Sequence, residues 1–441
     1  MEKKKNVASD FRYDTGEAKI PWAAVGENVR ENDIMDIVRF LIRPAEGKEK
    51  GYETRLDKVA SSISKLGAAG KPAGKLSLSA NVKAVEEEVA RYLETDHACF
   101  LTNCTAGFEI GLQYAGLKPG DEVIAPAITF IATIAYPMAI GAKVVLADVD
   151  PRTLNIDPKD VERKITPRTK AIIPVHLGGY PADMDPIMEL ARRHNIVVIE
   201  DAAHAFGARY KGRMAGTIGH FGAFSFHEVK NITSLGEGGI LVSTTELSKE
   251  LSRARFLGLD MSRQIPNWLY DVQAFKGPHG YFFTGNHSTT EIQAIGLASQ
   301  IKRLDEVIRK RKEAAEYLNG RLGGIEGIVT PQFDDDRIQS TYHLYLLQVD
   351  PAKAGGDVQV LKKKLADRGL VQIPHFAPLY KFSVLAQLGY DTKAMEATCP
   401  VAEEAFQHRF THLPLYNFTP EQLEYMADAV IDAVGEMKKG R

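Results

Sequence analysis

Three cysteines in 441 residues, Cys99, Cys104 and Cys399, are an odd set without metal-ligand spacing. A disulfide framework and a cysteine-ligated metal site are both disfavoured, and a reducing, cytoplasmic compartment is the expected setting. Neither sign of charge is in excess: 55 Lys and Arg stand against 57 Asp and Glu, a net charge of −2 mixed evenly along the chain. That balance gives no electrostatic basis for binding nucleic acid or a membrane surface. The lysine clusters Lys3–Lys5 and Lys438–Lys439 read as solvated termini. No apolar run is long enough for a membrane-spanning helix, and the charged, polar start does not read as a signal peptide. Internal repeats and low-complexity tracts are lacking as well. What is present is length enough for two to three folding units and, at 44% hydrophobic residues, material for a large core.

From about Asn81 to Ser243 helical and strand patterns alternate. Val82, Val85, Val89 and Leu93 mark one helix face, and Ala98–Leu101 then reads as a short buried strand. A helix is expected after Thr105. Further strands are expected at Glu122–Ala125, Val144–Ala147, Ala171–Val175, Ile196–Ile199, Gly222–Phe226 and Ile240–Ser243. Short apolar strands separated by helices argue for a mostly parallel sheet covered on both faces. Ile292, Ile295, Ile301, Leu304 and Ile308 continue at helical spacing through a charged segment that bridges out of the sheet. Beyond it, from about Gly324, a smaller α+β unit ends in a helix opened by Thr419-Pro420-Glu421-Gln422, a capping box with proline at the first helical position. Ala45–Gly74, rich in Lys, Gly, Ala and Ser, fits the alternation poorly. It reads as an insertion or lid-like arm with a short helix near Leu56–Leu66.

The most informative stretch is Ser225-Phe226-His227-Glu228-Val229-Lys230, followed by Gly236-Glu237-Gly238-Gly239. A lysine at the end of a short half-apolar run, braced by a glycine turn, is suited to Schiff-base chemistry. Upstream, Asp201 follows the buried-looking strand Ile196–Ile199. A Schiff-base lysine and a carboxylate able to keep a pyridine nitrogen protonated are the two fixtures pyridoxal 5′-phosphate (PLP) requires. Open α/β sheets place ligand-binding groups at such strand ends; an isolated aspartate there would read as a cap on the next helix.

The phosphate would need clustered donors. Thr102–Gly107 joins a strand to a helix, so the N–H groups of Thr105 and Ala106 could face an anion, and Ser225 could add a hydroxyl. Taken alone, such a loop is more often a plain strand–helix turn, and a lone serine more often a strand-end residue. Phe130 could stack on the cofactor ring, although by itself it reads better as core. His204, placed one helical turn past Asp201, could bond the cofactor's phenolic oxygen; a structural histidine would look the same in sequence.

These residues lie within blocks that resemble the DegT/DnrJ/EryC1/StrS sugar aminotransferases. The blocks are Pro126–Thr133, Asp148–Asp157, Pro174–Asp185, Glu200–Gly207, Ser225–Gly239, Glu291–Asp305 and His412–Tyr416, and the resemblance runs from about Ile20 to Val434, interrupted at Ala45–Gly74. It implies an α/β chain of PLP fold type I. The expected division is an N-terminal arm with an insertion (1–75), a large PLP-binding domain with a mostly parallel seven-stranded sheet between helices (76–305) and a smaller α+β C-terminal domain (306–441).

The resemblance further implies that Lys230 holds the cofactor and shuttles the proton. Asp201 would pair with the pyridine nitrogen, with His204 beside the ring, and Phe130 would stack. Thr105, Ala106 and Ser225 would hold the phosphate. Asn286 would reach it from the neighbouring subunit of a homodimer with shared sites. The implied reaction moves an amino group, with glutamate as donor, to a keto-sugar linked to a nucleotide. A PLP-dependent sugar dehydratase would carry histidine where this chain has Lys230, and a non-catalytic regulator need not keep both Lys230 and Asp201. Departures from the family pattern are Cys104 in place of a glycine, and Asn286-His287-Ser288-Thr289-Thr290-Glu291, which lacks the family's arginine. The segment near Lys276–Thr284 is also atypical. His343, His375 and Tyr380 lie in segments that approach the substrate in relatives; a surface or core role fits each equally well.

Overall fold

The computed structural model describes residues 29–70, 76–259, 272–370 and 376–440. All seven expected strands of the alternating region form, within a residue or two at most ends: β1 (Ala98–Leu101), β2 (Glu122–Pro126), β3 (Lys143–Ala147), β4 (Thr169–Ile172), β5 (Val197–Asp201), β6 (Phe221–Ser225) and β7 (Gly239–Ser243). They make one sheet in the order β1-β7-β6-β5-β4-β2-β3. β3, β2, β4, β5 and β6 pair in parallel, while β7 runs antiparallel to both β6 and β1. Val197, Val198 and Ile199 are all buried, as expected for strands covered on both faces. On one face Phe108, Ile110 and Leu112 of helix Cys104–Tyr114 pack against Ile199, Phe221 and Leu241. On the other, Val82, Val85 and Val89 of helix Ala80–Tyr92 pack against Phe100, Phe224 and Ile240.

The C-terminal part builds a three-stranded antiparallel sheet from Ile328–Val329, Tyr345–Val349 and Phe410–Leu413. Its core takes in helices Leu304–Leu322, Val358–Asp367 and Pro420–Lys439. The last helix opens with the expected capping box, Thr419 accepting from the Gln422 N–H. The bridging segment differs from expectation. It is two helices, Glu291–Ile301 and Leu304–Leu322, and Ile292 and Ile295 face outward, about half exposed. The buried stripe is Ala294, Leu297, Ile301 and Leu304, because packing against helix Ala80–Tyr92 selects that face. In the Ala45–Gly74 arm the described residues hold a helix longer than expected, Glu49–Ala69, and residues 71–75 lie outside the description. Near Lys276–Thr284 a small hairpin, Phe275–Gly277 with Gly280–Phe282, packs on Tyr114.

Glu291 ties the sheet region together across more than two hundred residues. Its buried carboxylate accepts the N–H groups of Ser79 (2.8 Å), Asn81 (2.8 Å) and Val82 (3.3 Å), and the Asn81 side chain (2.9 Å). It thereby caps helix Ala80–Tyr92, whose own Ser79 makes no side-chain cap bond. Burial opposes the ionised form, but the donors from Asn81 and Ser79 outweigh it and hold the carboxyl below its usual value. A depressed folded-state value contributes stability above the unfolded carboxyl value and loses it as pH falls through the folded one. Glu291→Gln should therefore cost about 1–3 kcal/mol at neutral pH. In thermal or urea denaturation, the gap from the unsubstituted chain should narrow below about pH 4.

Candidate active site

The carboxyl ends of β2, β5 and β6 and the start of helix Cys104–Tyr114 converge on a cavity of about 530 Å³. A larger space of about 780 Å³ at the free edge of the sheet, beside β3, is lined by none of the expected site residues. Successive strand residues point to opposite faces, and β5 uses both. Asp201 faces the cavity. Glu200, fully buried behind it, accepts the N–H groups of Gly216 (2.8 Å), Ile218 (2.6 Å) and Gly219 (2.6 Å) and pairs with His176 Nε2 (2.9 Å). No helix follows Asp201, so it is not a helix cap. Its carboxylate accepts from the Thr133 hydroxyl (2.8 Å) and the Ala203 N–H (3.2 Å). Burial raises its pKa against those bonds and the charge of Lys230.

Lys230 stands on a loop pinned by Phe226 N–H to Gly238 O (2.8 Å) and Glu228 N–H to Gly236 O (2.9 Å). Gly236 takes φ 127°, which L side chains rarely adopt. At Gly239 a Cβ would overlap the Asn103 backbone, so only glycine lets β7 approach the helix start this closely. Burial lowers the pKa of Lys230, with Asp201 and Cys104 pulling the other way. Burial also pushes the Cys104 thiol well above its usual value and keeps it protonated.

Of the residues expected from the sequence, Thr105, Phe130, Asp201, His204, Ser225 and Lys230 line this cavity. Phe130 is 58% exposed, so the reading of it as core is wrong. His204 reaches the cavity from a turn rather than a helix. Its Nδ1 accepts from the Gly178 N–H (3.3 Å), and its ring lies 4.3 Å from that of His343, centroid to centroid. Burial, with Lys230 nearby, holds both imidazoles well below their usual value. Ala106 does not line the cavity, and Asn103 Oδ1 takes its N–H (3.0 Å) as the helix N-cap. Asn286 is exposed and outside the cavity, its Oδ1 accepting from the Ser288 N–H (3.0 Å). Tyr380 is core, its hydroxyl on Glu403 (2.8 Å), and His375 lies outside the described residues. Thr133, Glu200, Arg311, His412 and Tyr416 were not anticipated as site or supporting residues. All but Arg311 sat in a block that could have signalled them.

A PLP molecule suits this cavity: a buried acid, a buried amine, an exposed aromatic face and a helix start are the groups its ring nitrogen, aldehyde, π face and phosphate call for. A family model, the DegT/DnrJ/EryC1/StrS aminotransferase family, matches residues 62–431. The chain belongs to this family. It is similar to the spore coat polysaccharide biosynthesis protein SpsC of Bacillus subtilis, at 38% identity over 83% of this chain and 92% of the relative. It is also similar to the GDP-perosamine synthase of Caulobacter vibrioides, at 36% over 72% of this chain and 81% of the relative. Among solved structures, the PLP form of Spr1654 from Streptococcus pneumoniae superposes with a TM-score of 0.71 at 26% identity, covering 86% of this chain and 96% of that one. This protein is an aminotransferase of PLP fold type I, and PLP is its cofactor.

In this aminotransferase the lowered pKa of Lys230 has a direct readout. Labelling of the PLP-free protein with a small amine-reactive reagent should modify Lys230 at a lower pH than the surface lysines. Peptide mass analysis across a pH series checks this; a Lys230 profile that coincides with the surface lysines would remove the effect of burial.

Proposed function

We propose that this aminotransferase moves an amino group from glutamate to a keto-sugar carried on a nucleotide, in the making of an amino sugar for a polysaccharide. The observation that carries the reading is the placing of Asp201 and Lys230 in one cavity of the aminotransferase fold. The relatives named for polysaccharide biosynthesis and for GDP-perosamine synthesis support the sugar and the nucleotide.

PLP, when bound, supplies the electron sink. Asp201, oriented by Thr133, holds the proton on the pyridine nitrogen. Lys230 would hold the cofactor covalently and, once the donor's amine has displaced it, its Nζ would be the base that moves the proton, which burial favours by leaving a usable free amine. Phe130 would cover one face of the ring and His204 would stand beside it. The Thr105 N–H and the Ser225 hydroxyl hold the phosphate, and Ala106 joins them only if Asn103 releases its N–H. Asn286 lies outside its own cavity, and its role is to reach the phosphate of a second copy, which makes the working unit a homodimer.

The test is spectroscopic. The PLP-loaded protein should show a visible band that glutamate bleaches and that a nucleotide-linked keto-sugar restores. Borohydride should fix PLP on Lys230, and Lys230→Ala should abolish both fixation and turnover. Fixation on another lysine would refute the role of Lys230, and a band indifferent to glutamate would refute the donor.

A further inference from the structure

Besides Lys230, the cavity is lined by a second basic side chain, Arg311. Arg311, on helix Leu304–Leu322, is 7% exposed and lines the cavity. Its Nη1 donates to the carbonyls of His343 (3.1 Å) and Tyr342 (3.5 Å), and its guanidinium lies 5.8 Å from the centre of the Tyr416 ring. Among the described residues no carboxylate pairs with it, and its remaining N–H groups have no protein acceptor. Arg255, equally buried, shows how this chain otherwise treats such a group: it is paired with Glu86. A guanidinium taken from water without a counter-ion is costly, and its planar fork matches a carboxylate. We propose that Arg311 is the anion anchor on the substrate side of the cavity and takes a carboxylate of the amino donor, an inference that rests on the aminotransferase reading above.

Position separates this site from the phosphate cradle. Arg311 comes from helix Leu304–Leu322 beside His343 and Tyr416, whereas Thr105 and Ser225 stand at the start of helix Cys104–Tyr114 and the end of β6. Lys230 and Arg311 line the same cavity, so a donor whose amine is directed at Lys230 can turn its carboxylates to the guanidinium. Depth favours a small anion: at 7% exposure the fork suits a carboxylate better than a nucleotide's bulky pyrophosphate. Burial pulls the guanidinium down to about 10, with Tyr416 opposing, so it stays cationic at neutral pH.

The test compares the PLP-loaded protein with Arg311→Met and Arg311→Lys, using glutarate, an unreactive dicarboxylate, in calorimetry. The unsubstituted protein should bind glutarate, Arg311→Met at least about thirtyfold more weakly, and Arg311→Lys in between. The glutamate concentration for half-bleaching should rise by the same factor, while the response to a simple alkylamine and the binding of GDP stay unchanged. Unchanged glutarate binding in Arg311→Met overturns the proposal, as does an equal loss for glutarate and the alkylamine, which would mark a structural role. A loss of GDP binding alone would assign Arg311 to the nucleotide instead. If Arg311→Met loses the visible band, Arg311→Lys with glutarate decides. If glutamate fails to bleach the unsubstituted protein, the donor reading falls, and glutarate binding still decides the anchor.

Discussion

The burial of Asp201 and Lys230 within electrostatic reach of one another is the constraint on which the site depends. Burial alone raises the carboxyl and lowers the amine, driving both toward their neutral forms. Each opposes that drift in the other, and the Thr133 hydroxyl and Ala203 N–H add two donors that favour the carboxylate. An acid held this way keeps a pyridine nitrogen protonated, while a partly neutralised amine can bind and release a carbon. Neither property would survive moving the pair to the surface, where water levels both groups.

Such a pair needs a frame that does not yield. Asp201 is fixed by the sheet, with β6 on one side and a bridge to Val175 on the other. Behind it Glu200 gathers three backbone N–H groups and His176, so β5 is anchored from its far face as well. Lys230 stands on a loop, but one stapled at Phe226–Gly238 and braced from helix Glu291–Ile301, whose Gln293 side chain donates to the Glu237 carbonyl (2.8 Å). The same helix starts at Glu291, which caps helix Ala80–Tyr92. The loop that carries the amine and the outer layer of the sheet therefore share one support.

The sheet was legible because its strands are short apolar runs cut by helices, and tertiary packing left that pattern intact. Asp201 and Lys230 were legible because their chemistry, order and spacing coincide. Arg311 was not, and the reason is physical. It lies in Arg309-Lys310-Arg311-Lys312, four bases in a row on a charged helix. Arg309 pairs with Glu313, Lys310 with Glu306 and Lys312 with Asp334, and only Arg311 turns inward. A helical period says that one of the four faces the core without saying which, since the long aliphatic stems of Lys and Arg suit either side. At Ala106 the N–H lies at a helix start as expected, but Asn103, one residue before the helix, takes it as a cap, which the sequence pattern does not reveal. The outward-facing Ile292 and Ile295 fit helical periodicity as well as the stripe that is buried, and periodicity carries no label for core or surface.

Those outward residues have company. Phe130, Val229, Leu235, Ile292 and Ile295 are each between 50% and 58% exposed. They belong to the segments that carry the site: the turn after β2, the Lys230 loop and the helix that braces it. Leu235, held at φ 62°, lies over Gly296 of that helix, where no side chain intervenes. Phe130 and Val229 line the cavity itself, and exposed apolar side chains on the segments that carry a site are poorly placed for a monomer in water. In the proposed dimer a second copy would cover them, and the consequence would be electrostatic as much as hydrophobic. Excluding water there lowers the local dielectric and strengthens every charge interaction inside, including the opposing shifts of Asp201 and Lys230. The apolar side chains and the buried Asp201 and Lys230 are then two parts of one arrangement, and weakening the first at Leu235, Ile292 or Ile295 would relax the second without touching a residue of the site.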